Sequence, residues 1–273
     1  MTEEQKYLFD LNGFLVVPGV LTDDECQRLR EFVVTLNDEP DALPDHARYA
    51  SIDPDPVTLN LVSGPSSELL DHPVLVDILD EIVVGEKADG FRSPDAHPFR
   101  FESTWCTIKV AGECGVPPHG GPSVDPLFHY LCKNQKIYAG MLRVIWELNP
   151  VGSEDEGTTF APGSHKANFK APAHLLEHGS PIMKSYTCPQ GSIVIFTEAV
   201  THAGGRWHNP DSPRIAILNS YVPVTTQWHR FDIPAEVIEK LPAKRRTLFR
   251  GVWGTRRFEP LVNDYYGPDN MAV

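Results

Sequence analysis

Two histidines and one arginine have the residue types and the spacing from which an iron site with an anionic ligand can be built. His119 lies in a stretch rich in turn residues, PPHGGPSVDP, and His202 follows an apolar run that ends at Phe196. Arg214 comes twelve residues after His202, at the head of another apolar run. Imidazoles hold Fe(II) while leaving positions open, and a guanidinium pairs with a carboxylate through two parallel hydrogen bonds. The pattern predicts Fe(II) on the two histidines and the distal carboxylate of 2-oxoglutarate on Arg214.

The segments that must position these three residues are apolar runs typical of β-strands. Strands are predicted over residues 99–110, 136–148, 190–196 and 214–222, with a short one earlier, at 13–18. Thr107 and Lys109, on the strand before His119, are expected to line the 2-oxoglutarate pocket. Arg143, on the predicted 136–148 strand, is compatible with an orientation toward either the pocket or solvent.

Helices are predicted mainly before these strands. Residues 22–36 begin with a capping box, Thr22 and Glu25, and continue with apolar residues at helical spacing. A second helix is predicted over about 73–84, and a third near 234–241. Helices that come first and strands that come later predict an α+β, mainly β, fold, in which N-terminal helices pack outside a β-sandwich or barrel.

The composition limits the classes of function. The chain has 273 residues and a formal net charge of −13, which argues against nucleic-acid binding because phosphate contacts need a basic face. The N-terminus shows no secretory signal pattern, and no apolar run is long enough to span a membrane. Five scattered cysteines without a CxxC pair indicate reduced thiols rather than disulfides or a zinc site. A cytoplasmic protein without a membrane or nucleic-acid partner is therefore predicted.

Three regions in this order resemble the phytanoyl-CoA dioxygenase family of Fe(II)/2-oxoglutarate oxygenases. The opening is similar over residues 7–21, YLFDLNGFLVVPGVL, and residues 161–166, APGSHK, match a Pro-Gly-Ser-His-Lys signature. His202 and Arg214 match the distal metal histidine and the 2-oxoglutarate arginine. His165, inside the signature, is expected to serve a structural turn, and Lys166 to be a surface charge.

The resemblance implies one domain built as a double-stranded β-helix, the cupin-like jelly roll. A helical N-terminal part over 1–90, a jelly-roll core over 91–232 and a C-terminal extension over 233–273 are expected. The implied activity is oxidative decarboxylation of 2-oxoglutarate by O2, coupled to hydroxylation of a small metabolite or biosynthetic intermediate. The cofactors implied are Fe(II) and 2-oxoglutarate.

The sequence departs from the family at one metal ligand. The family's His-x-Asp pair reads His119-Gly120-Gly121 here, and glycine has no side chain that can bind a metal. Asp125, six residues after His119, or Glu198, four residues before the second histidine, is a candidate for the carboxylate. Glu198 can approach only if residues 198–200 form a turn, and Glu147 is a weaker candidate.

On the sequence alone, Gly121 is also compatible with two further functions. Fe(II)/2-oxoglutarate halogenases have glycine or alanine at this place, where it makes room for a chloride ligand. A cupin-like binding protein that has lost catalysis is equally compatible with glycine here, because a fold does not fix a function. A subset of the family carries His-Gly-Gly, and this sequence resembles that subset most.

Overall fold

The computed structural model describes residues 1–39, 61–83, 93–122, 128–228, 233 and 235–252. The helices are α1 (Glu3–Asn12), α2 (Asp23–Asp38), α3 (Pro73–Ile82), α4 (Ala235–Glu239) and α5 (Ala243–Arg246), with short 3₁₀ turns at Gly64–Asp71, Ser164–Lys166, Ala173–Leu175 and Thr247–Phe249. The strands are β1 (Phe14–Val17), β2 (Phe99–Lys109), β3 (Tyr130–Lys133), β4 (Lys136–Ala139), β5 (Leu142–Glu147), β6 (Thr158–Phe160), β7 (Ser192–Thr197), β8 (His202–Gly204) and β9 (Arg214–Pro223).

Capping residues set the ends of the first two helices. Thr22 caps α2 and forms the predicted reciprocal pair with Glu25, which confirms the capping box. Helix α1 was not predicted, although Thr2 and Gln5 form a second capping box at its start. Gly13 ends α1 in the left-handed conformation (φ 81°), from which the chain enters β1 directly.

The predicted helices and most predicted strands lie close to where the sequence placed them. The exception is the single strand predicted over 136–148, which is wrong: β4 and β5 belong to different sheets. Asn134 and Gln135, both at positive φ, turn β3 back into β4. The NH of Gly140 then bonds to the carbonyl of His129 (2.9 Å), which ends that hairpin, and β5 continues into the large sheet.

Five antiparallel strands form the large sheet, in the order β1-β7-β5-β9-β2, while β6 and β8 form a small second sheet. The large sheet is buried on both faces. Successive side chains of a strand point to opposite sides, so each strand contributes to two cores. On β7, Ile193 and Ile195 join the core that contains the helices, whereas Val194 and Phe196 join a separate core that contains the small sheet. The sheet is thus the middle layer between the helices and the small sheet.

A β-bulge in β2 reverses which residues face the small sheet. The register with β9 shifts between Phe101 and Ser103, so Glu102 is the extra residue. Phe101 packs in the helix-side core, but after the bulge Trp105 packs in the core on the other side. Without the bulge, the odd-numbered residues of β2 would all lie on the helix side.

A mixed composition of helices and strands and an antiparallel sheet confirm the coarser part of the fold prediction. The division of the chain at 90 and 232 stays a prediction, although β1, which lies before residue 90, is an edge strand of the large sheet. The predicted irregular tail lies largely outside the described residues. Within the described ranges, no helix combines the length and the apolar character that crossing a bilayer requires.

The contact between the two sheets depends on Phe160, which is fully buried and stacks on Phe14 (4.4 Å between ring centroids) and against Phe196 (5.0 Å). We expect Phe160→Ala to lower the free energy of unfolding by about 3–5 kcal/mol, because it leaves a cavity between the sheets. Urea denaturation measures the change. The control is Phe169→Ala, because Phe169 is 88% exposed and its loss should change stability by no more than about 0.5 kcal/mol. Equal effects of the two substitutions would contradict this packing.

Candidate metal centre

Three of the residues predicted from the sequence meet at one point. His119, Glu198 and His202 each offer a ligand atom, and these atoms lie within 4.8 Å of one another. His202 and Glu198 are buried, and His119 is exposed at the rim. Two imidazoles and one carboxylate form the donor set that non-haem Fe(II) sites use.

Backbone pairing brings the two histidines together. His119 and His202 exchange two antiparallel NH-to-carbonyl hydrogen bonds, each 2.9 Å long, so the segment before Gly120 runs alongside β8. Each ring also uses Nδ1 for a carbonyl two residues earlier, Pro117 for His119 and Val200 for His202, both at 2.8 Å. A carbonyl can only accept, so Nδ1 carries the proton and Nε2 keeps its lone pair for a metal.

Burial lowers the pKa of His202 to about 4. The His202 ring is therefore neutral near pH 7, which is the form that binds metals.

The two glycines after His119 are explained by packing. Gly120 has φ +74°, and a Cβ there would lie 2.9 Å from the carbonyl oxygen of Glu198 and 3.0 Å from Nδ1 of His202. Gly121 has φ +109°, and a Cβ there would be directed at the hydroxyl of Thr201, 3.1 Å away. The tight turn requires glycine at both positions because other residues rarely adopt these angles.

From the sequence, Glu198 can approach the histidines only if residues 198–200 form a turn, and that turn is present. The chain leaves β7 at Thr197 and turns at Glu198 and Ala199, with the NH of Val200 bonded to the carbonyl of Thr197 (3.0 Å). Oε1 of Glu198 lies 3.9 Å from Nε2 of His202, and Oε2 accepts a hydrogen bond from Nε of Arg143. Burial raises the pKa of the Glu198 carboxyl, but the charge and hydrogen bond of Arg143, together with the two histidines, keep the pKa below the ordinary value.

The other carboxylate candidates do not join the histidines in the described structure. Asp125 lies outside the described residues. Glu147 is fully buried on β5 and binds Arg214: Oε1 accepts from Nη2 at 2.5 Å and from Nε at 3.2 Å. Glu147 is therefore the counter-ion of the arginine predicted to bind 2-oxoglutarate, and this role was not predicted.

Arg214 is held by a buried polar network. Its Nη2 also reaches the hydroxyls of Tyr186 (3.2 Å) and Thr158 (3.3 Å), and Tyr186 donates to Oε1 of Glu147 at 2.5 Å. Burial disfavours the charge of Arg214, but Glu147 and Tyr186 together offset this and raise the pKa of Arg214 above the ordinary value. Nε and Nη2 make all the hydrogen bonds of Arg214 given by the described residues, so Nη1 has no partner among them.

Lys109 and Thr107, predicted from the sequence to line the 2-oxoglutarate pocket, lie on β2, which pairs with the strand that carries Arg214. Lys109 is directly opposite Arg214 across the β2–β9 pair, and Thr107 is opposite Ala216. The ammonium of Lys109 donates to the carbonyl of Gly205 at 2.8 Å. Burial, reinforced by repulsion from Arg214, lowers the pKa of Lys109 to about 8.

The two histidines and the cationic groups line one cavity of about 340 Å³ between the two sheets, whereas Glu198, Glu147 and Tyr186 do not. His119 and His202 lie on the small-sheet side, while Thr107, Lys109 and Arg214 project from the large sheet. Arg143, for which the sequence left two orientations open, lines the cavity as well. Because Arg143 and Glu147 are an even number of positions apart on β5, their shared face could have been read from the alternation of that strand.

His165 and Lys166 lie away from this cluster. The buried ring of His165 contacts the carbonyl of Asp10 through Nε2 (3.0 Å), and the ammonium of Lys166 pairs with the Asp10 carboxylate at 2.7 Å. The Pro-Gly-Ser-His-Lys segment thus contacts α1. Its Ser164 also accepts a hydrogen bond from the NH of Thr201 (2.8 Å), next to His202.

Solved structures share this fold at low sequence identity. HygX from Streptomyces hygroscopicus, with nickel and 2-oxoglutarate bound, is 22% identical with a TM-score of 0.65, over 85% of this chain and 91% of HygX. The non-heme alpha ketoglutarate dependent epimerase SnoN from nogalamycin biosynthesis is 18% identical with a TM-score of 0.55, over 87% of this chain and 88% of SnoN. AviO1 from Streptomyces viridochromogenes Tue57 is 17% identical with a TM-score of 0.55, over 83% of this chain and 97% of AviO1.

A comparison with curated protein sequences gave no significant match. The sequence model of the phytanoyl-CoA dioxygenase (PhyH) family, in contrast, matches residues 9–216, a range that contains His119, Glu198, His202 and Arg214. Since this range is more than half of the chain, the protein belongs to the phytanoyl-CoA dioxygenase family and is an Fe(II)- and 2-oxoglutarate-dependent enzyme of the oxygenase type.

Proposed function

We propose that this enzyme hydroxylates a small metabolite or biosynthetic intermediate, with Fe(II) held by His119, His202 and Glu198. The meeting of these three side chains within 4.8 Å is the observation that carries the proposal. In this set, Glu198 from the turn after β7 provides the carboxylate that the His-Gly-Gly segment lacks. Asp125 is not needed to complete the set.

The donor set fits Fe(II) on its own chemistry. In the neutral imidazole, the hydrogen bond from Nδ1 to a carbonyl leaves the Nε2 lone pair of each histidine available to a metal. The ionised carboxylate of Glu198 adds the hard oxygen ligand that a site with two imidazoles and one carboxylate requires. Iron bound here, with 2-oxoglutarate and O2, supplies the oxidising power for C–H hydroxylation, which no side chain can supply.

We infer that Arg214, Lys109 and Thr107 bind the distal carboxylate of 2-oxoglutarate. Glu147 neutralises much of the charge of Arg214, so the ammonium of Lys109 is the cation of this group without a carboxylate partner in the described residues. Nη1 of Arg214 remains for the ligand, while the other two nitrogens keep the guanidinium plane fixed. The structure of HygX, which has a similar fold, contains bound nickel and 2-oxoglutarate and supports this inference.

The small sheet supports a double-stranded β-helix. Bridges Cys114–Arg206 and His119–His202 add the 114–119 segment beside β8, and a bridge at Lys184 adds a further segment beside β6. The order is then 114–119, β8, β6 and 184, packed across Phe160 onto the large sheet. We propose that these two layers are the two sheets of a jelly roll.

We infer the substrate class from the volume of the cavity and from the net charge of the protein. About 340 Å³ lies at the lower end for small-molecule pockets. The net charge of −13 disfavours polyanionic substrates such as acyl-CoA. HygX has been solved with hygromycin B bound, and SnoN belongs to nogalamycin biosynthesis, which supports a small-molecule substrate here. The cytoplasmic location predicted from the sequence stays a prediction.

The halogenase alternative needs an open ligand position where the family has aspartate. Here the carboxylate of Glu198 approaches the histidines, and a side chain at Gly121 would be directed at Thr201. The arrangement therefore favours hydroxylation over chloride transfer. A non-catalytic binding protein would not need a buried carboxylate beside two imidazoles whose Nε2 atoms are available to a metal.

The metal assignment predicts the effect of losing each ligand. In anaerobic titrations with Fe(II) and 2-oxoglutarate, the visible charge-transfer band should be absent in His119→Ala and His202→Ala. Glu198→Gln should weaken Fe(II) binding at least roughly 100-fold, since even partners outside the ligand set cost about 10- to 100-fold. Glu154→Gln, at an exposed position, is the matched control and should behave as the wild type. A full band in His202→Ala would place the metal elsewhere.

The 2-oxoglutarate assignment predicts a loss of affinity when the guanidinium is removed. Because Arg214→Met alone would leave the Glu147 carboxylate buried without a partner, the comparison is Glu147→Gln against Glu147→Gln/Arg214→Met. The double variant should bind 2-oxoglutarate about 10- to 150-fold more weakly, as expected for a charge-assisted hydrogen bond of about 1.5–3 kcal/mol. The same titration measures it, with Arg206→Met as the exposed control. Unchanged affinity would remove Arg214 from the site.

Lys109 makes the affinity depend on pH. Its pKa of about 8 means that the ammonium is present below pH 8 and is lost above it. The affinity of the Ni(II)-loaded protein for 2-oxoglutarate, measured by calorimetry, should therefore fall between pH 7 and pH 9. Lys109→Arg keeps its charge over this range and should show a flat profile. A parallel fall in both proteins would show that another group is responsible.

A further inference from the structure

Arg143 contacts the Glu198 carboxylate from the side opposite His202. It lies in the middle layer, on β5, and its side chain is 13% exposed. Nε of Arg143 donates to Oε2 of Glu198, whereas Oε1 lies 3.9 Å from Nε2 of His202. The two oxygens are therefore divided, one toward the arginine and one toward the histidines.

The guanidinium of Arg143 is itself fixed by two neighbouring strands. Nη1 donates to the hydroxyl of Ser220 at 2.9 Å, and Ser220 is directly opposite Arg143 across the β5–β9 pair. On β2, the ring of Trp105 lies under the guanidinium, 4.7 Å from its centroid to Cζ. A planar cation held from two sides loses little further freedom when it binds a carboxylate.

Glu198 needs such a partner because its backbone lies outside any strand. Its NH bonds to the carbonyl of Met141 (3.0 Å), which fixes the turn but not the side chain. A glutamate side chain has three torsions and costs up to roughly 2 kcal/mol of conformational entropy to fix. In contrast, the two histidine rings are already fixed by their own Nδ1 hydrogen bonds.

We propose that Arg143 is a positioning residue for the metal centre: it holds Oε2 of Glu198 so that only Oε1 is presented to the metal. The inference rests on the proposed function and adds a residue that the family match alone does not assign. It means that the large sheet positions the carboxylate while the small sheet positions the two histidines. The relative positions of the three proposed metal ligands thus depend on the contact between the large sheet and the small sheet.

The test is a double-mutant cycle on metal affinity, read from the visible spectrum of Co(II) in competition with a chelator, on the full-length protein. Arg143→Gln should weaken Co(II) binding about 10- to 100-fold. In the Glu198→Gln background, the same change should have no further effect beyond about twofold, because Arg143 acts only through that carboxylate. The double variant also avoids an unpaired buried carboxylate. Arg143→Lys should restore part of the affinity.

Arg245→Gln is the matched control, since Arg245 pairs with Asp71 at 2.6 Å and is 16% exposed but lies outside the cavity lining. It should leave Co(II) affinity unchanged. Equal losses for Arg143→Gln in both backgrounds, or none in the wild type, would overturn the positioning role. If Glu198→Gln weakens binding and Arg143→Gln does not, this inference fails alone. If the wild type binds no Co(II), the proposed function fails with it.

Discussion

The alternation of side chains across the large sheet is the constraint on which this structure depends. Each central strand sends one set of residues toward the helices and the other toward the small sheet, and both sets are buried. On β5, Val144 and Trp146 join the helix-side core, while Arg143 lines the cavity and Glu147 lies buried on the same face. A shift of register by one residue would bury these charges among the helices and remove them from the site. Because of the bulge at Glu102, Thr107 and Lys109 on β2 face the cavity and not the helices.

Charge balance explains how one small cavity tolerates several buried ionic groups. Among the described residues, the cations around it are Lys109, Arg143 and Arg214, and their carboxylate partners are Glu147 and Glu198. Three positive and two negative charges leave one positive charge, 3 − 2 = +1, with His202 neutral. A divalent metal would add to this excess, and a dianion such as 2-oxoglutarate would offset it. The cavity is thus poised for an anionic ligand.

The His-Gly-Gly segment and the turn after β7 are two sides of one arrangement. Gly120 and Gly121 allow the chain after His119 to pack tightly against the carbonyls of residues 198 and 200. An aspartate at Gly121 would have a strained backbone and would lie close to the hydroxyl of Thr201. Glu198 approaches the histidines from the turn after β7. In the proposed site, the carboxylate comes from a different position in the chain than in the His-x-Asp pair, and the donor chemistry is the same. The proposed positioning role of Arg143 is consistent with the longer side chain of glutamate, which has one more torsion to fix than aspartate.

The sequence by itself determined helices α2, α3 and α4, four of the five strands of the large sheet and the residue types of the site. The useful signals were local: capping boxes, apolar spacing and the order of His119, His202 and Arg214. Such patterns can be recognised without knowledge of the fold. It also named Glu198, on the condition of a turn. Only the tertiary structure decided that Glu198 rather than Glu147 approaches the histidines, because both are acids at the ends of buried strands. The choice depends on strand register and on which cation faces each carboxylate, and both are set by residues distant in the chain.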